Sequence, residues 1–347
     1  MRIYYYLLLS VYIIFCMGCE KRLDETTITI EEKEFVQGQT FSEAFLKFKE
    51  FIIDTTLKVG QIRFLDVDDN DNLIVSDFLR KEVFILSPNG KLIKTLNPDI
   101  CTPGFHWSPV FANILNGQIY VINAGPWGYR FDREGNCLGK MDDNFLPPRF
   151  LQSFSNNRIL GYYALANDLS LKVMNEFGKA EYKFGVFPEE HKNFLTRFDA
   201  GGLVVDKFNN IYQMNVSTPQ IYKYNEQGKL IKVFNNYSNN FITLDRDINN
   251  SSAELINEIK RIQNVSWAEK LFLLTENILL VKLRHPQNKY GLLLIDLDGE
   301  LACEKEYEIE ENLLYAKNGR LYFISDQIVN DNQYLNPKIT IYKIKDN

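Results

Sequence analysis

The sequence predicts an all-β fold, a six-bladed β-propeller with four-stranded blades. Three observations carry this: a recurring strand–strand–turn unit, glycine turns that return in phase, and second strands that align independently of those turns. The unit is clearest twice. Asn72-Leu73-Ile74-Val75-Ser76-Asp77 leads to Val83-Phe84-Ile85-Leu86, the turn Ser87-Pro88-Asn89-Gly90-Lys91 and then Leu92-Ile93-Lys94. Asn210-Ile211-Tyr212-Gln213-Met214-Asn215 repeats it through Gln220-Ile221-Tyr222-Lys223-Tyr224, Asn225-Glu226-Gln227-Gly228-Lys229 and Leu230-Ile231-Lys232. Periods of about 40 to 50 residues that hold several strands each are the signature of propeller blades.

The turns set the register. Gly90, Gly135, Gly178, Gly228 and Gly299 stand 45, 43, 50 and 71 residues apart, each with Asn, Asp or Glu one or two positions earlier. Tight hairpins need a residue with positive φ, which Gly supplies, and Asn or Asp beside it favours the turn. Second-strand cores fall at Leu73, Ile119, Ile159, Ile211, Leu279 and Leu321, each behind its own turn signal, from Asp71-Asn72 to Asn318-Gly319. That makes six units. An ordinary β-sandwich with evenly spaced hairpins leaves the phased return of one turn type unexplained.

The 71-residue interval holds an insertion. Ser251-Ser252-Ala253-Glu254 reads as a capped helix start, and Leu255, Ile256, Ile259 and Ile262 follow at helical spacing, so a helix is expected over about 250–263. The sixth unit offers only three strands, Leu313–Ala316, Arg320–Ser325 and Ile339–Ile344, before the sequence ends. A ring must close without an exposed edge. Thr27–Glu31 alternates as a strand should and is expected to supply the missing outer strand, while Phe41–Phe48 reads equally as helix or strand. The expected domains are a leader over 1–18, a tether over 19–26 and the propeller over 27–347.

Met1-Arg2 gives the leader a positive start, Tyr4–Phe15 an apolar core and Met17-Gly18-Cys19 a small-residue cleavage site. The apolar run is short for a membrane span. Gly18-Cys19 resembles the bacterial lipobox, in which Cys19 would be lipidated, although Cys16 stands where Leu is usual; an uncleaved anchor and an ordinary signal peptide are the alternatives. Glu20-Lys21-Arg22-Leu23-Asp24-Glu25 is a solvated tether. Cys101, Cys137 and Cys303 remain, without metal-like spacing; at most one pair bridges, and buried free thiols are expected. A net charge of −6 without a basic stripe excludes a nucleic-acid surface. The 25 Phe and 19 Tyr fall largely on strands, where packing between blades is the default role.

The run Asp68-Asp69-Asn70-Asp71-Asn72-Leu73-Ile74-Val75-Ser76-Asp77, with Val83–Leu86 and Asn89-Gly90-Lys91-Leu92, resembles the NHL repeat. The mature chain is similar to the six-bladed, NHL-like propeller lipoproteins of gut-type (Bacteroides-type) Gram-negative bacteria. The match is good in units one and four, partial in two (Asn116–Asn123) and degenerate in three and five. The resemblance implies an outer-membrane lipoprotein of the cell envelope, facing periplasm or surface. Most members of that family have no assigned activity.

In such propellers ligands meet the face built by loops that lead into first strands and loops that join second to third strands. On this chain those loops carry Arg80, His106, Trp107, Trp127, Arg197, Arg284 and His285. Flat aromatics beside Arg and His on a concave rim suit a glycan or peptide, through stacking and charge-assisted hydrogen bonds. Any one of them alone reads as an ordinary loop residue; the face as a whole reads as binding. His106, His191 and His285 all fall in such loops, as zinc-holding lyases of this shape require, but no ligand spacing accompanies them, so no metal is assigned. Calcium-dependent hydrolysis would need carboxylates and amides from first strands, and Asp66, Asn113, Gln152 and Glu269 occur there without a repeated position. Asp68–Asp71 reads as a tight turn rather than a calcium loop. No nucleophile elbow, P-loop or dinucleotide fingerprint is present. The expectation is an exported, monomeric propeller lipoprotein that binds an extracellular ligand or an envelope protein, without a cofactor or assigned catalysis. A metal-dependent hydrolase or lyase is the alternative.

Overall fold

Each blade is punctuated by turns that its own side chains build. Asp68 Oδ1 accepts the N–H groups of Asn70 and Asn72, both at 2.8 Å, and Asp206 Oδ1 does the same for Phe208 and Asn210. These turns end a first strand and start a second. Between third and fourth strands, Ser87, Asp132, Asn175, Asn225 and Asp296 each accept the N–H four residues on with a side-chain oxygen. The turn glycine has a second task here. Gly228 has φ of 77°, and a Cβ on it would lie 2.5 Å from Phe184, at the end of the preceding blade's outer strand. Gly90 meets Phe51 and Gly299 meets Phe234 in the same way. A side chain at these positions pushes neighbouring blades apart.

The computed structural model describes residues 35–104, 107–125, 127–163, 169–185, 201–235, 238–243, 264–325, 329–330, 333–334 and 336–345. Six four-stranded antiparallel sheets form the ring. Blade I holds β2 (Ile62–Val67), β3 (Leu73–Asp77), β4 (Glu82–Leu86) and β5 (Leu92–Thr95). Blade II holds β6 (Pro109–Leu115), β7 (Gln118–Asn123), β8 (Gly128–Phe131) and β9 (Cys137–Lys140). Blade III holds β10 (Phe150–Phe154), β11 (Arg158–Tyr162), β12 (Leu171–Met174) and β13 (Ala180–Phe184). Blade IV holds β14 (Gly202–Val205), β15 (Ile211–Met214), β16 (Ile221–Tyr224) and β17 (Leu230–Phe234). Blade V holds β18 (Trp267–Leu273), β19 (Ile278–His285), β20 (Lys289–Asp296) and β21 (Tyr307–Ile309). Blade VI holds β22 (Asn312–Lys317), β23 (Arg320–Ile324) and β26 (Lys338–Ile344), with a short hairpin, β24 (Val329–Asn330) and β25 (Gln333–Tyr334), between the last two.

The fourth strand of blade VI is β1 (Phe45–Ile52), paired from Phe45↔Ile344 to Ile52↔Lys338. The ring therefore closes with an N-terminal strand, as expected, but through Phe45–Ile52 and not Thr27–Glu31. The stretch Phe41–Phe48 resolves into both structures: α1 (Phe41–Ala44), with Thr40 and Glu43 forming a capping box, runs directly into β1. The leader, the tether, Thr27–Glu31 and the expected helix over 250–263 lie outside the described residues. Among the described residues no helix is long and apolar enough to cross a membrane.

Core packing sits between blades. Each of six buried apolar clusters fills one seam, for example Val204, Met214 and Phe234 of blade IV against Leu271, Val281 and Leu293 of blade V. Tyr120, Tyr212 and Tyr224 are fully buried there, in the role expected of them. Cys101 and Cys137 form a disulfide, their Cα atoms 5.5 Å apart, which corrects the expectation of free thiols; among the described residues Cys303 alone is free, and it is buried.

Candidate functional site

The axis of the ring holds a cavity of about 270 Å³, lined by all six first strands and by the turns after those of blades V and VI, which add Thr275, Glu276 and Asn318. Tyr315, Asp66, Asn113 and Gln152 form a polar arc from blades VI, I, II and III, while Val204, Leu271 and Leu273 from blades IV and V form an apolar one. Asp66 is only 5% exposed and bonds three blades together. Its carboxylate accepts the N–H of Val67 (2.7 Å) and Ile114 (2.8 Å), the Asn113 amide (3.3 Å) and the Tyr315 hydroxyl. Burial raises its carboxyl above the ordinary range, against the pull of those bonds, the Tyr315 one first. Burial, with Asp66 beside it, also drives the Tyr315 hydroxyl well up. Asp66 is thus a saturated clamp. Gln152, by contrast, is half-buried, and its carboxamide makes no hydrogen bond among the described residues.

A second buried charge lies at the seam of blades V and VI. Lys282 has no exposed surface, and its Nζ stands 2.9 Å from Glu269 Oε2 and 2.7 Å from Asn312 Oδ1, with the Tyr290 ring centre 4.5 Å away. Burial pulls its amine down, although Glu269 opposes this. Glu269 is the extra residue of a bulge in β18, and the same bulge interrupts β2, β6 and β22. At the register position of Lys282 those blades carry Ser76, Ile122 and Tyr322, so the fold itself needs no ammonium there.

The loops expected to bind ligand lie at the other end of the blades. Arg80 is tied to Glu82 (2.8 Å) on blade I. Trp107 and Trp127 come together on the seam of blades I and II, beside the disulfide; Trp107 packs 5.8 Å from the Tyr129 ring, and its buried Nε1 donates to nothing among the described residues. On blade V, the Arg284 guanidinium covers Trp267 at 5.1 Å and donates to Asn288. His106, His191 and Arg197 lie outside the described residues. The five described residues share an end of the ring by topology, but in separate groups on blades I, II and V.

His285 is the best-built of them. Ser266 Oγ accepts the N–H of Ile242 (3.0 Å) and lies 2.9 Å from His285 Nδ1. Donation by this hydroxyl to Nδ1 leaves the ring proton on Nε2, 2.5 Å from Glu306 Oε1. Glu306 Oε2 in turn accepts the hydroxyl of Ser238 at 2.6 Å. Both ring nitrogens are engaged, so His285 is not placed as a metal ligand, and no group of three or more His, Cys, Asp or Glu among the described residues could hold a metal ion. The sequence signal missed here was Gly291 on β20: a Cβ on it would overlap the Glu306 carboxylate.

No protein-family model matches the chain, and no curated protein matches it. Solved structures do. A member of the DUF4221 family from Bacteroides vulgatus has a TM-score of 0.63 at 12% identity, over 87% of this chain and 98% of that one. A candidate exported protein from Bacteroides fragilis has 0.59 at 12%, over 87% and 95%. A catalytically inactive virginiamycin B lyase from Staphylococcus aureus with quinupristin has 0.51 at 11%, over 86% and 99%. At such identities the shared property is the propeller fold.

Proposed function

We propose that this chain is an exported, NHL-like propeller lipoprotein of the cell envelope that binds a small amphipathic ligand, of monosaccharide or dipeptide size, in its axial cavity. The observation that carries the reading is the division of that cavity into a polar arc holding the unpartnered Gln152 carboxamide and an apolar arc of Val204, Leu271 and Leu273. A sugar or a short peptide presents the same two sides, and about 270 Å³ lies just below the range of pockets that hold drug-sized ligands, which suits a smaller one. The Cys101–Cys137 disulfide supports an oxidising compartment. So do the leader and its Cys19, and the similarity to a candidate exported protein adds to them.

Calorimetry against neutral hexoses, N-acetylhexosamines and dipeptides at millimolar concentration tests the ligand. At least one should bind, and Gln152→Ala should weaken it about tenfold, the equivalent of one lost hydrogen bond. Absence of binding throughout the panel, or binding indifferent to Gln152→Ala, defeats the reading. The anchor has its own test: Cys19→Ser should release the protein from the membrane fraction or leave an uncleaved precursor. If the variant loses its leader and still sediments with membranes, Cys19 is not the lipidated residue.

A further inference from the structure

The relay around His285 borders a different cavity, of about 630 Å³, between the lead-in to α1, the outer edge of blade V and the segment after blade IV. Ser238 and Glu306 both line it, beside Asn239, Asn240 and Gln39. Ser238 is 7% exposed, so its hydroxyl is held rather than waving in solvent. A hydroxyl 2.6 Å from a carboxylate whose other oxygen is fixed by an imidazole has the arrangement of a nucleophile, a base and an orienting group. Blade V shapes itself around this carboxylate, since only Gly at position 291 leaves room for it.

We propose that Ser238 is the nucleophile of an acyl-hydrolase centre in this cavity, with Glu306 as its general base and His285 positioning Glu306. Ser238 Oγ bonds to the acyl carbon of an ester as its proton passes to Glu306 Oε2. The C–O bond to the alcohol then breaks, and Glu306 returns that proton to the departing oxygen. A water then bonds to the acyl carbon as Glu306 takes its proton; the bond between Ser238 Oγ and the acyl carbon breaks, Glu306 returns the proton to Oγ, and the carboxylic acid leaves. Asn239 and Asn240 follow the nucleophile directly and line the same cavity; their amides are the candidates to stabilise the negative charge that develops on the carbonyl oxygen. Amides and the Glu304 and Glu308 carboxylates around the cavity suit an ester carried on a polyhydroxylated or amine-bearing molecule.

The full chain, purified in detergent, is treated with a fluorophosphonate probe and mapped by peptide mass spectrometry. Hydrolysis of 4-nitrophenyl acetate is followed in parallel. Ser238 should carry the label and Ser238→Ala should lose it, while Glu306→Gln should slow labelling by about 100-fold, the usual contribution of a general base. His285→Gln, which keeps a donor toward Glu306, should retain labelling within about tenfold, whereas His285→Ala should lose it. The hydrolysis rate should fall in Glu306→Gln by the same factor as the labelling rate. Melting curves identify any variant that fails to fold, and the pair Ser238→Ala and His285→Gln then carries the test. An unlabelled Ser238 in the wild type overturns the proposal, as does labelling that is equally fast in Glu306→Gln; either result leaves the relay as a structural staple.

Discussion

Replacing Asp66 by alanine is expected to lower the stability of the propeller by roughly 3–5 kcal/mol, the largest loss from any single substitution considered. The carboxylate is 5% exposed and takes hydrogen bonds from residues of blades I, II and VI at once. Its removal strands the Val67 and Ile114 N–H groups, the Asn113 amide and the Tyr315 hydroxyl. A buried donor left unpaired costs about 1–3 kcal/mol, and water entering from the axial cavity relieves part of that. Asp66→Asn keeps one acceptor and should lose less. The two also differ in their pH dependence. The Asp66 carboxyl is raised from 3.8, so the folded state keeps its proton to higher pH than the unfolded chain does. Stability from this group is therefore full below 3.8 and is lost as pH rises through the raised value. Asparagine does not titrate. Urea denaturation of both proteins between pH 4 and pH 8 should show the advantage of the wild type over Asp66→Asn narrowing as pH rises. A widening gap would mean that the site prefers the anion and that burial does not dominate it.

Most of the ring was legible because its punctuation is local. A side-chain oxygen that accepts an N–H two or four residues on, with a glycine at the turn, leaves its trace within five residues, and it does so in every blade where Gly90, Gly135, Gly178, Gly228 and Gly299 stand. The closing strand was misplaced for a physical reason. Phe45–Ile52 carries a bulge between Lys47 and Lys49 that breaks its period of two, and as an outer strand it buries only Phe45 fully. Thr27–Glu31 shows the cleaner alternation. The disulfide was open to the sequence only as one of several pairings, since 36 residues separate Cys101 from Cys137 and the connection between blades I and II decides that they meet. The axial cavity was half visible: Asp66, Asn113 and Gln152 were recognisable as first-strand polar residues, but whether their groups face donors or open space depends on neighbouring blades. His285 was singled out for its loop, while Ser266, Glu306 and Ser238 come to it from three other segments that no spacing rule connects.

Removing the chain up to and including β1 should prevent stable closure of the ring. The strand contributes little core of its own, so its importance lies in what it covers. Without it, β26 becomes an unpaired edge carrying Ile339, Thr340 and Ile341, now fully or nearly buried, and the Phe51 ring against Gly90 at the seam with blade I is lost. An exposed, apolar edge invites pairing with another chain. Native domains have only about 5–15 kcal/mol in hand, and a ladder of seven residue pairs with its flanking seam contacts is a large part of that. The truncated protein is therefore expected to melt at least ten degrees lower or to aggregate on purification, as read by thermal scanning and gel filtration. A synthetic peptide spanning residues 41–54 should restore the melting temperature in proportion to its concentration, by adding the missing strand to the open edge. A truncated chain that stays monomeric with unchanged melting would show that blade VI is stable with three strands, and that β1 decorates the ring without closing it.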